Sequence, residues 1–185
     1  SNNKLKEIFS LIFPELKYTE RLIKLTTLNN LESFSKELLL AVLLVDEGNN
    51  HEYFSHKYNV SNELKYTLNL LALNLKNLKE KRNFFTKDLK KQIYLHGKVH
   101  LLMLNLLNFS ISKTIKVDHF LNISKNIKKM KKPDFPYDGN FLKKKGLQEG
   151  VIIGDTLKKI EFEWIKNDFN ISEEKVLKII NDQKY

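Results

Sequence analysis

The chain has 185 residues, 42% of them apolar, no cysteine and a net charge of +10. That length allows one domain or two small ones. The missing cysteines exclude disulfides, thiolate zinc sites and cysteine nucleophiles, and there is no run of eighteen apolar residues to span a membrane.

The chain starts Ser1-Asn2-Asn3-Lys4 with no initiator Met and no apolar segment of the kind a signal peptide carries. Ser1-Asn2 reads as the remnant of a cleaved tag, so a longer parent protein is expected. Leu5, Ile8, Phe9 and Ile12 give the 3-4 spacing of a helix face ended by Pro14, and Leu22, Ile23 and Leu28 suggest a second short helix. A third is expected over about Glu32 to Val45, apolar on nearly every side and therefore the buried centre of a bundle. Gly48-Asn49-Asn50 breaks the chain before a short helix at 51–58. Ser61 is the expected N-cap of a long amphipathic helix carrying Leu64, Leu68, Leu71, Leu75 and Leu78. Thr86 is the expected cap of the next helix, with Asp88 near its positive end and Leu89 and Ile93 facing inward. Gly97 marks either a tight turn or a helix that continues through it, into the apolar run Val99–Leu107. A further helix over 116–130 turns Val117, Phe120, Leu121 and Ile127 inward. Together these predict an all-α bundle of seven to nine helices with no sheet, divided into a helical body over 1–112 and a basic helical tail over 113–185.

The positive charge is confined. Residues 74–100 carry eight basic and two acidic side chains, and residues 113–145 carry ten and three. The flanking stretches 1–73 and 146–185 are slightly acidic. A confined basic block suggests a polyanionic partner. Only Arg21 and Arg82 are arginines, which favours phosphate contact over bidentate reading of bases. The competing explanation is that lysine, with asparagine, isoleucine and phenylalanine, is enriched by AT-rich coding.

Four of the six glycines fall in one segment. Asp138-Gly139 is a turn signal, 140–145 can form a short helix, and Gly146 fits a C′ position with Leu147 packing back. Gly150 opens a long helix whose Ile153, Leu157, Ile160 and Trp164 form one stripe. Gly154 there would let another backbone approach. The free N–H groups at that helix start could hold a phosphate; equally, the glycines could serve packing alone.

Phe135-Pro136, Gly139, Leu142, Gly146-Leu147, Gly150, Gly154, Leu157 and Glu161 through Trp164-Ile165 resemble the C-terminal signature of bacterial tRNA nucleotidyltransferases and poly(A) polymerases. Tyr58-Asn59-Val60-Ser61-Asn62-Glu63 is similar to a second element of that family, although Val151 stands where the family usually has proline. The resemblance implies a body and tail that position tRNA, or another RNA, for nucleotide addition at the 3′ end, and the absence of cysteine fits a cytoplasmic location. The reaction would use Mg²⁺, with ATP and CTP as substrates, in a catalytic head. The family's Asp-x-Asp pair and Glu-Asp-x-x-Arg strip are absent from the sequence, so no catalytic residue is assigned here and an N-terminal head of the same parent becomes the expected partner. The RNA-contacting residues expected are Lys87, Lys90, Lys91, Lys125, Lys128, Lys129, Lys131, Lys132, Lys143, Lys144 and Lys145, with Gly150 and Gly154.

Other constellations are weaker. Glu161 and Glu163 are about 200° apart on a helix and cannot share a metal. His96 and His100 have zinc-site spacing but lack the intervening Glu, with His119 a conceivable third ligand; no metal site is assigned. Phe84, Phe85, Tyr94, Phe120 and Tyr137 lie in or beside the basic block and could stack on unpaired bases, although apolar periodicity favours their burial. Two alternatives remain open. One is a non-catalytic helical module for protein interaction or homodimerisation; the other is a DNA-binding helix-hairpin-helix built on 140–165.

Overall fold

The computed structural model describes residues 2–28 and 34–183, without the side chains at positions 2, 3, 5 and 6. Among the described residues there are ten helices and no strand. They are α1 (Asn2–Ile12), α2 (Thr19–Thr26), α3 (Lys36–Leu44), α4 (Asn50–Lys57), α5 (Asn62–Glu80), α6 (Leu89–Ile111), α7 (Val117–Lys129), α8 (Gly139–Lys144), α9 (Val151–Lys166) and α10 (Glu173–Asn181). The all-α expectation holds, with one helix more than the upper count. None of the described helices is long and apolar enough to cross a membrane.

The chain forms two compact units that divide between Met130 and Lys131, eighteen residues beyond the expected boundary at 112/113. The reason is α7. Its Phe120, Ile123 and Ile127 belong to the first unit's core, and the buried Asn105 of α6 donates to Phe120 O at 3.1 Å and to Ser124 Oγ at 2.9 Å. The five-residue connection 112–116 makes α6 and α7 an antiparallel hairpin rather than a domain junction.

The first unit is built around α3, which packs against α2, α4, α5 and α6. Leu38, Ala41, Val42 and Leu44 are buried there, because a helix apolar all round has no face to give to water. The expected start of this helix, at Glu32, lies outside the described residues; within them, Ser35 is the N-cap and accepts from Leu38 N. Arg21 caps the other end, donating to Val42 O at 3.1 Å and Val45 O at 2.6 Å, while Tyr18 stacks on the guanidinium and donates to Asp46. On α5, Ser61 caps as expected, and Leu68, Leu71 and Leu75 are buried.

Two local expectations are corrected. Thr86 does not cap α6; the cap position is Asp88, which makes no side-chain capping bond. Leu121 of α7 is 52% exposed, and Ile123 takes the inward place. The helix expected from Ile8, Phe9 and Ile12 is present as α1, and those three side chains are exposed. At Gly97 both readings are partly right: the helix continues, but through a kink with φ 78° and ψ 161°, a conformation open essentially to glycine.

The second unit contains α8, α9 and α10 around Leu142, Leu147, Ile160, Val176 and Ile180. Gly146 has φ 92°, its N–H reaches Lys143 O, and Leu147 N reaches Leu142 O at 3.2 Å. This is a Schellman end, with Leu147 packed back on Leu142 as expected. Trp164 is wedged edge-on between Phe135 and Phe169.

Candidate nucleic-acid interface

In the first unit the lysines are gathered by the α6–α7 hairpin. Lys90 and Lys91 lie in the first turn of α6, Lys98 just past the kink, and Lys125, Lys128 and Lys129 in the second half of α7. Lys98 Nζ donates to Lys128 O at 2.8 Å. That bond ties the stretch just past the Gly97 kink to the lysine-bearing end of α7. Lys87 precedes α6 by two residues and is exposed.

The two halves of this cluster differ in what helix electrostatics would favour. Lys128 and Lys129 sit in the last turn of α7, where the helix dipole welcomes cations. Their position therefore has a sufficient structural explanation. Lys90 and Lys91 sit at the positive end of α6, whose acidic residue is Asp88 at the cap position, with none in the first turn. Helix electrostatics disfavours cations there by a few tenths of a kcal/mol each, roughly. Lys87, Lys91, Lys125, Lys128 and Lys129 are exposed and make no ion pair among the described residues.

In the second unit, Lys131 and Lys132 lie in the extended stretch 131–138 before α8. Lys143 and Lys144 end α8 and Lys145 is its C-cap. Two of these are partly neutralised within the unit: Lys143 pairs with Glu149, and Lys145 with Glu173 at 3.6 Å. Lys131 and Lys144 are exposed and make no ion pair among the described residues. Lys143 holds the Glu149 carboxyl below its usual range, chiefly by hydrogen bonding.

The two glycines behave differently. Gly150 is the N-cap of α9 with φ 133°, so the turn into the helix requires glycine. Gly154 has open space where a Cβ would sit, and the expected close backbone approach does not occur. The carboxylate of Glu149 immediately precedes the cap, so the residue beside this helix start is itself an anion. This weakens the case for a phosphate there.

The aromatic side chains of the basic block are mostly taken up by packing. Phe84, Phe85 and Phe120 are buried, and Tyr137 packs between Phe135 and Phe141. Among the described residues no three His, Asp or Glu side chains are placed to hold a metal ion. His96 and His100 stack with ring centroids 5.5 Å apart. His100 Nε2 faces the amide of Asn74 at 3.0 Å, and Asn77 in turn donates to Asn74. The pair thus belongs to a polar network between α5 and α6, which spacing alone does not reveal.

Compared with known proteins, the chain matches no family model, and neither a curated protein nor a solved structure gives a significant match.

Proposed function

We propose that this chain binds folded RNA through phosphate contacts, with the lysines of α6 and α7, and Lys87 before them, as the main contact. The observation that carries the reading is the crowding of Lys87, Lys90 and Lys91 at the positive end of α6, with Lys98 of the same helix bonded to the lysine-bearing end of α7. Helix electrostatics gives no return for that arrangement, whereas a polyanion does. Lysine without arginine suits phosphate and shape recognition rather than base reading.

The resemblance to tRNA nucleotidyltransferases and poly(A) polymerases narrows the proposed partner to tRNA or a related RNA, met in the cytoplasm. On that reading the chain positions the RNA, and nucleotidyl transfer with Mg²⁺, ATP and CTP is the work of a catalytic head outside these 185 residues. The second reading, a helical module for protein interaction, draws on the exposed Ile8, Leu11 and Ile12 of α1.

A titration of the chain against tRNA at low and moderate salt tests the proposal. Binding is expected at low salt and should fall steeply as salt rises, by about tenfold or more between 50 and 200 mM. Charge reversal of Lys87, Lys91, Lys128 and Lys129 should abolish it while leaving the helical circular dichroism unchanged. Undetectable binding by the parent at low salt overturns the reading, and so does a charge-reversed variant that binds as well as the parent.

A further inference from the structure

A groove of about 700 Å³ opens in the first unit between the α3–α4 turn, α4 and α5. Its long wall is α5 from Asn69 to Glu80, a run of roughly 16 Å at 1.5 Å per residue. Four carboxylates line the groove, Asp46, Glu47, Glu52 and Glu80, against two lysines, Lys76 and Lys79. Lys79 is already paired with Glu47 at 2.6 Å. The lining is therefore acidic on a chain that is strongly basic overall.

A second observation is independent of charge. Two buried side-chain atoms among the described residues have no hydrogen-bond partner, His51 Nδ1 and Asn69 Oδ1. Both residues line this one groove, from helices α4 and α5, which pack together. His51 is only 4% exposed. Buried polar groups in folded proteins are nearly always hydrogen-bonded, so two orphans lining one groove call for an occupant that satisfies both.

The chemistry of that occupant follows from the donor inventory. Asn69 Oδ1 is an acceptor, and His51 Nδ1 accepts when the ring proton is on Nε2. Burial lowers the His51 pKa and keeps the ring neutral. With the carboxylates, the groove offers acceptors spread along its length. Because no three His, Asp or Glu side chains among the described residues are placed around one metal ion, these acceptors suit several separate N–H donors. Between them, Ala72, Leu73 and Leu75 provide an apolar floor.

We infer that this groove binds a linear aliphatic polyamine, its ammonium groups on Glu52, Glu80 and the His51–Asn69 acceptor pair and its methylene spacers over the apolar floor. Ammonium groups carry three donors each and no acceptor, which matches the lining. The inference stands whether or not the chain binds RNA.

Calorimetric titration of the whole chain with spermidine at low salt tests it. Saturable binding at one site is expected. Asn69→Leu and Glu80→Gln should each weaken it about tenfold or more, as loss of a charge-assisted hydrogen bond does. Asn69→Leu should melt no lower than the parent, since it removes an unsatisfied amide, and Glu80→Gln changes an exposed side chain. A linear diol of the same length should not bind. The inference is overturned by no saturable binding up to about 10 mM, by undiminished binding in Glu80→Gln, or by a diol that binds equally well.

Discussion

His100 shows how one side chain ties the fold to pH. Burial, with a smaller contribution from His96, lowers its pKa from 6.5 to about 4, and the Asn74 amide at its Nε2 requires a lone pair there. The unfolded chain protonates this ring near pH 6.5, and the folded chain only near pH 4. Between those values the unfolded state binds more protons, so the contribution to stability is complete above pH 6.5 and is lost as pH falls towards 4. At about 1.4 kcal/mol per pH unit the loss is on the order of 2–3 kcal/mol, given that the ring is only partly buried. Burial lowers the pKa of His96 and His51 as well, in the same direction. His100→Gln keeps an acceptor for Asn74 and removes the titration. Urea midpoints at pH 7 and about pH 4.5 should therefore differ less in that variant than in the parent. An equal drop in both would show that His100 does not carry the effect.

At the scale of elements, α6 is where local chemistry decides geometry. Gly97 interrupts it with a left-handed residue, and a Cβ there would meet nothing within 4 Å. The demand for glycine is thus one of backbone conformation, not of space. Gly97→Ala should cost about 1–3 kcal/mol, read as a lower urea midpoint, and because Lys98 follows the kink it should also disturb the bond to Lys128 O. An unchanged midpoint would mean that the kink is not a required feature of the fold.

The same helix shows what was legible in the sequence and what was not. Apolar spacing located α5 and the Ile160–Trp164 stripe of α9, and Ser61 and Gly146 marked helix ends, because those signals are local and periodic. Leu121 adjoins Phe120 in sequence but lies outside the stripe of Phe120, Ile123 and Ile127, and counting apolar residues does not separate it from them. Charge pattern puts the domain boundary too early, because residues 101–112 carry no charge and charges return after them, which reads as a change of domain. The bonds from Asn105 that bind α7 into the first core join residues 15 and 19 apart and leave no local trace. α10 lies outside the expected elements although its signals are local: Ser172 caps it, Glu173 and Glu174 fill its first turn, and Val176 and Ile180 form its buried stripe. For the candidate interface, the identity of the lysines was visible in the sequence. Their partners were not, because Lys143–Glu149, Lys145–Glu173 and Lys98–Lys128 are tertiary contacts.

At the scale of the molecule, each unit has its own hydrophobic core. The second unit spans residues 131–185, a size at which burial of apolar surface only just offsets chain entropy. The chain holds one tryptophan, and Trp164 lies in that unit's buried region, 4% exposed. Its fluorescence therefore reports on the second unit alone, while far-ultraviolet circular dichroism is dominated by the seven helices of the first. Two cores of unequal size should not melt as one. Under urea the tryptophan signal is expected to change at lower denaturant than the bulk of the helical signal, and added tRNA, on the proposal that lysines of α6 and α7 hold it, should move the dichroism transition more than the fluorescence one. Superimposable transitions with and without RNA would mean that the chain unfolds as one cooperative block, and that the placement of the RNA contact in the first unit has no thermodynamic signature.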